Sequence, residues 1–341
     1  MNILLSFAGD KTSIVQYFKH AIGNTGKIYT CDSMLNFSLT QADGYLITPH
    51  EYDDSYITAL TDYCKKNSIS AIIPLSDADL SVLSKNKNKL HDIGISAIVS
   101  DEPVIDICID KWNMYIFLKS IGVKQPTSYI DLEAAKRDIE EGTLSFPLFL
   151  KPRFPHLASN KTTSRIDVYS FEELDFFYHK MEQTNLNVSD LLRNKVIIIQ
   201  EIKHGDQYGV CIFNDLKGNY VTASALKKLS LINDETTFAI IEEIKPFEHV
   251  VNMFINELKH VANLEIDCCL LDSGDVIVFD IYARFGSHYP FWHVADADFP
   301  KQIVDWLHGH PLSPNITHPV IGVNSCKEWG STVLFDYEHF K

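Results

Sequence analysis

Over the first hundred residues short apolar runs alternate with amphipathic ones. Asn2 to Phe7, Lys27 to Cys31, Gly44 to Ile47, Ala71 to Leu75 and Ile95 to Val99 read as buried strands. Between them Thr12 to Ile22, Asp53 to Asn67 and Asp77 to Leu90 repeat with a helical period. This alternation predicts a parallel sheet with helices on its faces. Asp101 to Gly122 continues as a connecting helical segment, in which Asp110 is placed to cap the helix beginning Lys111-Trp112-Asn113, and Pro126 stops it. From Phe146 the pattern changes to strands, the first running from Pro147 to Arg153. A polar loop over His156 to Arg165 and an amphipathic helix over Ser170 to Met181 follow, with Ser170 as N-cap and Glu173 at the capping-box position. Lys195 to Ile202 is strongly apolar and breaks at His204-Gly205. Gln207 to Phe213 and Asn219 to Leu226 predict an antiparallel pair about a turn at Asn214 to Gly218. Phe247 to Ala262 is helical, Leu264 to Pro290 begins as a hairpin turning at Asp272-Ser273-Gly274, and Phe299 to Leu307 is a last amphipathic helix stopped by Gly309 and Pro311.

The hairpin carries the clearest chemistry. Folding at Gly274 brings Asp267, in the first strand, and Asp280, near the end of the second, to the same end. Mg²⁺ takes oxygen ligands and is commonly held by one or two carboxylates together with substrate phosphates, which such a pair supplies. Arg284, in the turn leaving the second strand, is within reach of phosphates held there. Lys151 ends an apolar strand directly before Pro152 and presents a point charge to the same kind of group, unless it snorkels at the surface. Lys227 and Lys228 suit a γ-phosphate or an acidic substrate, and a solvated pair equally well. His288 and His293 follow Arg284 closely enough to line an acceptor pocket, with an ordinary loop histidine as the plain reading of each. The turn Ser6-Phe7-Ala8-Gly9-Asp10, with Asp32 ending the next strand, has the layout of a nucleotide-binding sheet. One Gly stands where the dinucleotide fingerprint needs three, so a structural turn is the better reading, and a dehydrogenase is set aside.

The net charge of −15 and pI near 5.3 argue against a nucleic-acid partner and against docking on an anionic membrane, since both need basic patches. An acidic chain that handles anions must gather its few cations locally, which adds weight to the lysines and arginine above. The 341 residues, 45% of them hydrophobic, are enough to bury about two or three compact subdomains. No apolar run approaches a membrane span, and Met1 leads straight into a strand, so the expectation is a chain without an export signal. Seven Cys, at 31, 64, 108, 211, 268, 269 and 326, show no CxxC spacing, which argues against zinc and disulfide frameworks and for a reducing cytoplasm. The sequon Asn315-Ile316-Thr317 has no meaning without export.

In order along the chain, Asp110-Lys111, FPLFLKPR (146–153), IIIQEIKHGDQYGV (197–210) and a hairpin closing on FDIYARFGSHYP (279–290) resemble the ATP-grasp superfamily. Within it the chain looks like the stand-alone ligases that are similar to carbamoyl-phosphate synthase. The resemblance implies a mixed α/β and α+β fold. A Rossmann-like N-terminal domain spans 1–100, linker helices and a small nucleotide-covering subdomain span 101–202, and a large subdomain with the metal and substrate site spans 203–341. It implies ATP and Mg²⁺ as cofactors, and a small carboxylate and an amine (amino acid, amino sugar or peptide) as substrates. The product is an amide or peptide-like bond formed through an acyl phosphate, and a homodimer is compatible with it. Residue by residue, it implies that Lys111 and Lys151 contact ATP phosphates and base edges, that Glu201 and the backbone of Ile202 face adenine, and that Asp267 and Asp280 hold Mg²⁺ while Arg284 steadies the transferring phosphoryl. Gln207 stands where the family has a ribose-binding Glu, and also accepts a hydrogen bond. The chain departs from the family in two further places. The loop 159–165 carries no Gly, and Tyr282 replaces an expected Asn metal ligand, which sets against the ligase the alternative of a catalytically degenerate relative acting as a nucleotide-binding sensor.

Overall fold

The computed structural model describes residues 1–155, 165–184, 195–232 and 235–327. Its N-terminal part runs β1 (Asn2–Ser6), α1 (Thr12–Ile22), β2 (Lys27–Asp32), α2 (Phe37–Thr40), β3 (Gly44–Ile47), α3 (Tyr56–Lys66), β4 (Ile69–Pro74), α4 (Leu80–Lys85), α5 (Lys87–Asp92) and β5 (Ser96–Ala97). The five strands make a parallel sheet in the order β3-β2-β1-β4-β5. Ile3, Leu4 and Leu5 of the central β1 are fully buried, as a strand covered on both faces requires. The helical pattern from Asp77 to Leu90 resolves into two short helices, because the side chain of Asn86 donates to Val82 O at 2.9 Å and ends α4. The helix expected from Asp53 starts at Tyr56, since Asp53 first accepts from the backbone and hydroxyl of Ser55.

Two further helices, α6 (Glu102–Ile109) and α7 (Lys111–Ser120), lead into a four-stranded antiparallel sheet. Its elements are β6 (Ser128–Tyr129), α8 (Leu132–Glu140), β7 (Leu148–Pro152), β8 (Ile166–Val168), α9 (Phe171–Thr184) and β9 (Ile197–Glu201), with strand order β6-β9-β7-β8. Most of the loop between β7 and β8, including the glycine-free stretch from 159 to 164, lies outside the described residues.

The third sheet has six antiparallel strands in the order β14-β13-β10-β11-β12-β15. They are β10 (Asp206–Asn214), β11 (Tyr220–Ile232), β12 (Glu235–Glu242), β13 (Asn263–Leu270), β14 (Val276–Tyr282) and β15 (Asn324–Cys326), with helices α10 (Glu248–Glu257), α11 (Tyr289–His293) and α12 (Phe299–Leu307). The sequence pattern does not announce β12, because threonines occupy buried positions: Thr236 is fully buried and Thr237 nearly so. The helix expected to reach Ala262 stops at Glu257, and Lys259 and Ala262 take positive φ before the chain enters β13.

The first and third sheets share their cores, and α1 packs on α12. At this seam Phe18 meets Phe285 edge-on, Val261 N–H donates to Ser100 Oγ at 2.8 Å, and Arg284 reaches across to Asp77. Among the described residues no helix is long and apolar enough to cross a membrane.

Candidate active site

A cavity of about 600 Å³ opens where the second and third sheets face each other beside α6 and α7. One part of its wall is apolar, with Ile109, Phe149, Ile202, Leu231 and Phe279, and the other carries Lys111, Lys151, Lys228, Asp267, Asp280 and Tyr282.

The charged end is built on the β13–β14 hairpin. The turn at Gly274, φ +85°, sets Cys268 opposite Val278, and a bulge beyond that pair brings Asp280, one residue further on, opposite Asp267. Lys111 Nζ lies 2.7 Å from Asp280 Oδ1 and Lys151 Nζ 3.5 Å from the same atom, while Lys228 Nζ lies 2.7 Å from Asp267 Oδ1. Three ammonium groups thus face two carboxylates, a local surplus of positive charge in a strongly acidic chain. Burial pushes the carboxyl of Asp280 up, but Lys111 and Lys151 more than offset it and hold it below its ordinary value. Burial likewise raises Asp267, and Lys228 and then His288 bring it below normal. Lys151 moves the other way: burial lowers its pKa, and Asp280 restores only part of the loss.

Two lysines from distant segments meet here because of Arg153. Its guanidinium forks onto Asp110, Nε to Oδ1 and Nη2 to Oδ2, both at 2.7 Å, with both residues buried. Asp110 at the same time caps α7 by accepting from Trp112 N at 2.9 Å, and Lys111 N–H donates to Arg153 O at 3.0 Å. The start of α7 and the end of β7 are therefore clasped together, and Lys111 and Lys151 reach Asp280 side by side.

Tyr282 is the unexpected member. Its hydroxyl donates to Asp280 Oδ2 at 3.3 Å, and its ring has Lys111 Nζ 4.9 Å and Arg284 Cζ 5.0 Å from the centroid. The ring is a cation–π platform for two positive groups. Arg284 holds Asp77 through Nε at 2.8 Å and Nη2 at 2.7 Å, and Asp77 borders the cavity. Burial alone would raise Asp77 and lower Arg284, and their mutual attraction reverses both shifts. The loop after Arg284 is shaped by Glu265, a buried carboxylate that accepts from Gly286 N at 2.6 Å and His288 N at 3.4 Å. A Cβ on residue 286 would stand 2.2 Å from that carboxylate, so any side chain there would have to displace Glu265.

At the apolar end the side chain facing the cavity is Gln200. Glu201, expected to face adenine, points elsewhere: it accepts from Thr127 N at 3.3 Å and pairs with Lys203 at 2.6 Å. Successive residues of β9 alternate in direction, which puts Gln200 in the lining. Gln200 Nε2 donates to Ser128 Oγ at 2.7 Å, which fixes the amide, and its buried Oε1 is left without a partner. Ile202 and Gln207 also line the cavity.

Lys227 and Lys228 separate for the same reason. Lys228 points inward, whereas Lys227 pairs outside with Asp206. His288 is buried behind Asp267, its Nδ1 3.6 Å from Asp267 Oδ1 and its Nε2 3.1 Å from Thr236 Oγ1. His293 lies apart from the cavity, stacked on Tyr17 of α1 at 3.5 Å between ring centroids. Asp32 accepts from Gly9 N at 2.9 Å and Asn36 Nδ2 at 2.9 Å, bracing the turn after β1.

The donor set suits one hard divalent ion. Asp267 and Asp280 are opposed and border the cavity, and a nucleotide's phosphate oxygens would complete the coordination. Tyr282, beside Asp280, offers a phenol where the resemblance calls for an amide oxygen, and a phenol is a poor ligand for a second ion of the same kind.

Residues 3–98 match the model of the PylC-like N-terminal domain family. No curated protein matches the chain in sequence. Solved structures match almost the whole of it. The ADP complex of N5-carboxyaminoimidazole synthetase from Staphylococcus aureus gives a TM-score of 0.69 at 14% identity, over 92% of this chain and 78% of that one. Biotin carboxylase from Campylobacter jejuni gives 0.68 at 16%, over 92% and 72%. An L-amino acid ligase from Bacillus licheniformis gives 0.65 at 14%, over 94% and 75%. At such identities the likeness establishes the fold, and the chain has the ATP-grasp architecture behind a Rossmann-like N-terminal domain.

Proposed function

We propose that this protein is an ATP-dependent carboxylate–amine ligase that activates a small carboxylic acid as its acyl phosphate and passes the acyl group to an amine. The observation that carries the reading is the two-ended cavity. Its apolar end holds one oriented, unpartnered acceptor, Gln200 Oε1, which suits the exocyclic amine of adenine, and its other end gathers three lysines around two opposed carboxylates. Its volume, about 600 Å³, suits a nucleotide.

Phosphoryl transfer asks mainly for positioning and charge neutralisation, and these side chains supply both. Lys111 and Lys151 bind phosphate oxygens, Lys228 neutralises the terminal phosphate or the acid, and Gln207 is placed toward the ribose. Asp267 and Asp280 hold Mg²⁺, which when bound screens the charge of the phosphates. Arg284, fixed by Asp77, steadies the phosphoryl group as charge develops on it. The acyl phosphate then needs an amine whose nitrogen lone pair is free. The ligases among the structural matches support small-molecule substrates, and an amino acid is the leading class of acid.

Phosphate release measured with mixtures of acids and amines tests this, beside nucleotide binding measured separately. Substrate-stimulated release that collapses in Arg284→Ala while ADP binding persists is the expected result. One observation favours a second reading, a nucleotide-binding sensor without turnover: Tyr282 closes off a metal ligand position. Tight ADP binding with no substrate-stimulated release from the parent would establish that reading and end the ligase one.

A further inference from the structure

Along β14 Asp280 and Tyr282 share a face, since a strand repeats every two residues, and Arg284, two residues on, lays its guanidinium near the same ring. Asp280 and Tyr282 border the cavity, as does Lys111 from the start of α7. The phenol is the hub of this group. Its hydroxyl donates to Asp280 Oδ2 at 3.3 Å, while Lys111 Nζ lies 4.9 Å from the ring centroid and 2.7 Å from Asp280 Oδ1. Arg284 Cζ lies 5.0 Å from the same centroid, with its guanidinium forked onto Asp77.

The ring acts on the cations. An aromatic face attracts positive charge, so one ring steadies two like charges that otherwise repel each other. Lys111 is buried and fixed from two sides, by carboxylate and by ring, before any phosphate arrives, and so loses less rotamer freedom when one binds. The hydroxyl acts on the metal position. An amide at 282 would present a carbonyl oxygen to an ion beside Asp280. The phenol instead directs its hydrogen bond at Asp280 Oδ2, and Oδ1 already carries Lys111 and Lys151. The positive charge that a second divalent ion would bring to the phosphates is present here as ammonium and guanidinium.

We propose that Tyr282 is a positioning residue that replaces a second ion with side chains: its ring holds Lys111 and Arg284 in place, and the chain takes up a single divalent ion with each nucleotide. That this arrangement serves phosphoryl transfer rests on the ligase reading, while the ion count and the hold on Lys111 do not.

The test uses the whole chain with one equivalent of ADP, titrated with Mn²⁺, an ion that favours carboxylate ligands and whose free form is counted by electron paramagnetic resonance. The parent, Tyr282→Phe and Tyr282→Leu should each take up one Mn²⁺ per bound nucleotide, and Tyr282→Asn two. Tyr282→Leu should also bind ADP roughly 2-fold to 30-fold more weakly than the parent, the range of a cation–π contact, and Tyr282→Phe should retain most of the affinity. In a double-mutant cycle Lys111→Met should weaken ADP binding less in the Tyr282→Leu background than in the parent. Thermal melts accompany each variant, and the parent's own count keeps the proposal exposed even if Tyr282→Asn does not fold. Two ions or none in the parent, one ion in folded Tyr282→Asn, or full additivity of Lys111→Met with Tyr282→Leu would each overturn the assignment. The two readings fail separately: one ion per nucleotide in a chain without substrate-stimulated phosphate release keeps the role of Tyr282 and removes the ligase, and release from a chain that takes up two ions does the reverse.

Discussion

Replacing Gln200 by Met separates recognition of the base from stability. In the free protein Gln200 contributes one hydrogen bond, from Nε2 to Ser128 Oγ, and leaves Oε1 buried without a partner. Losing the hydrogen bond costs about 1 kcal/mol, and removing an unsatisfied buried acceptor returns a similar amount, so stability should change by no more than about 1 kcal/mol. Ser128 is left tolerably placed, because its hydroxyl already donates to Pro126 O at 3.1 Å. Binding should change more. An adenine amine that met Oε1 would meet a thioether, and an unpaired buried donor costs about 1 to 3 kcal/mol, or roughly 5-fold to 150-fold in affinity. Guanine presents an acceptor where adenine presents the amine, so GDP should be indifferent to the change or gain from it. Calorimetric titration of parent and Gln200→Met with ADP and GDP, beside thermal melts, gives the comparison. An unchanged ratio of ADP to GDP affinity in a folded variant would refute the assignment of Gln200 to the base.

Asp280→Asn should abolish most of the Mg²⁺-dependent part of ADP binding and also loosen Lys111 and Lys151, which share its Oδ1; titration with and without Mg²⁺ shows it, and parent-like binding in both Asp280→Asn and Asp267→Asn would remove the metal from the hairpin. Lys151→Met should remain folded and lose at least about tenfold in ADP affinity, as read by calorimetry, since a charge-assisted contact is worth about 1.5 to 3 kcal/mol. His260 is fully buried, and burial lowers its pKa from 6.5 to about 4. Because the folded value lies below the unfolded one, its neutral form contributes stability that is complete above pH 6.5 and lost as pH falls toward 4, by about 3 kcal/mol in all. Melting temperatures across that window should fall more steeply for the parent than for His260→Gln.

The hairpin was legible because a Gly turn marks it and brings both acids to one end, but the bulge that sets Asp280 rather than Phe279 opposite Asp267 left no mark in the pattern. The cap at Asp110 was legible for a similar reason, since an N-cap acts within three residues of itself. The choice between neighbours was not. Along an apolar run such as 196–202 both faces are hydrophobic, so the pleat that turns Gln200 inward and Glu201 outward leaves no mark in the pattern. Lys227 and Lys228 pose the same problem on β11. Contacts between distant segments left no signal at all: Arg153 meets Asp110 across 43 positions and Arg284 meets Asp77 across 207. The apolar surroundings of His293 gave no hint that Tyr17 would claim it.

The fit of Gly286 against Glu265 ties two positions into one unit of inheritance. Residue 286 can gain a side chain only if residue 265 shortens or turns away, and then the backbone of 286 and 288 loses the carboxylate that shapes the loop just past Arg284. Change at residue 286 alone is opposed by the buried carboxylate, and change at residue 265 alone costs the two hydrogen bonds it accepts, so a side chain at 286 should appear in descendants of this chain only together with a change at 265, and such a pair would mark a line in which the guanidinium is carried at a different angle.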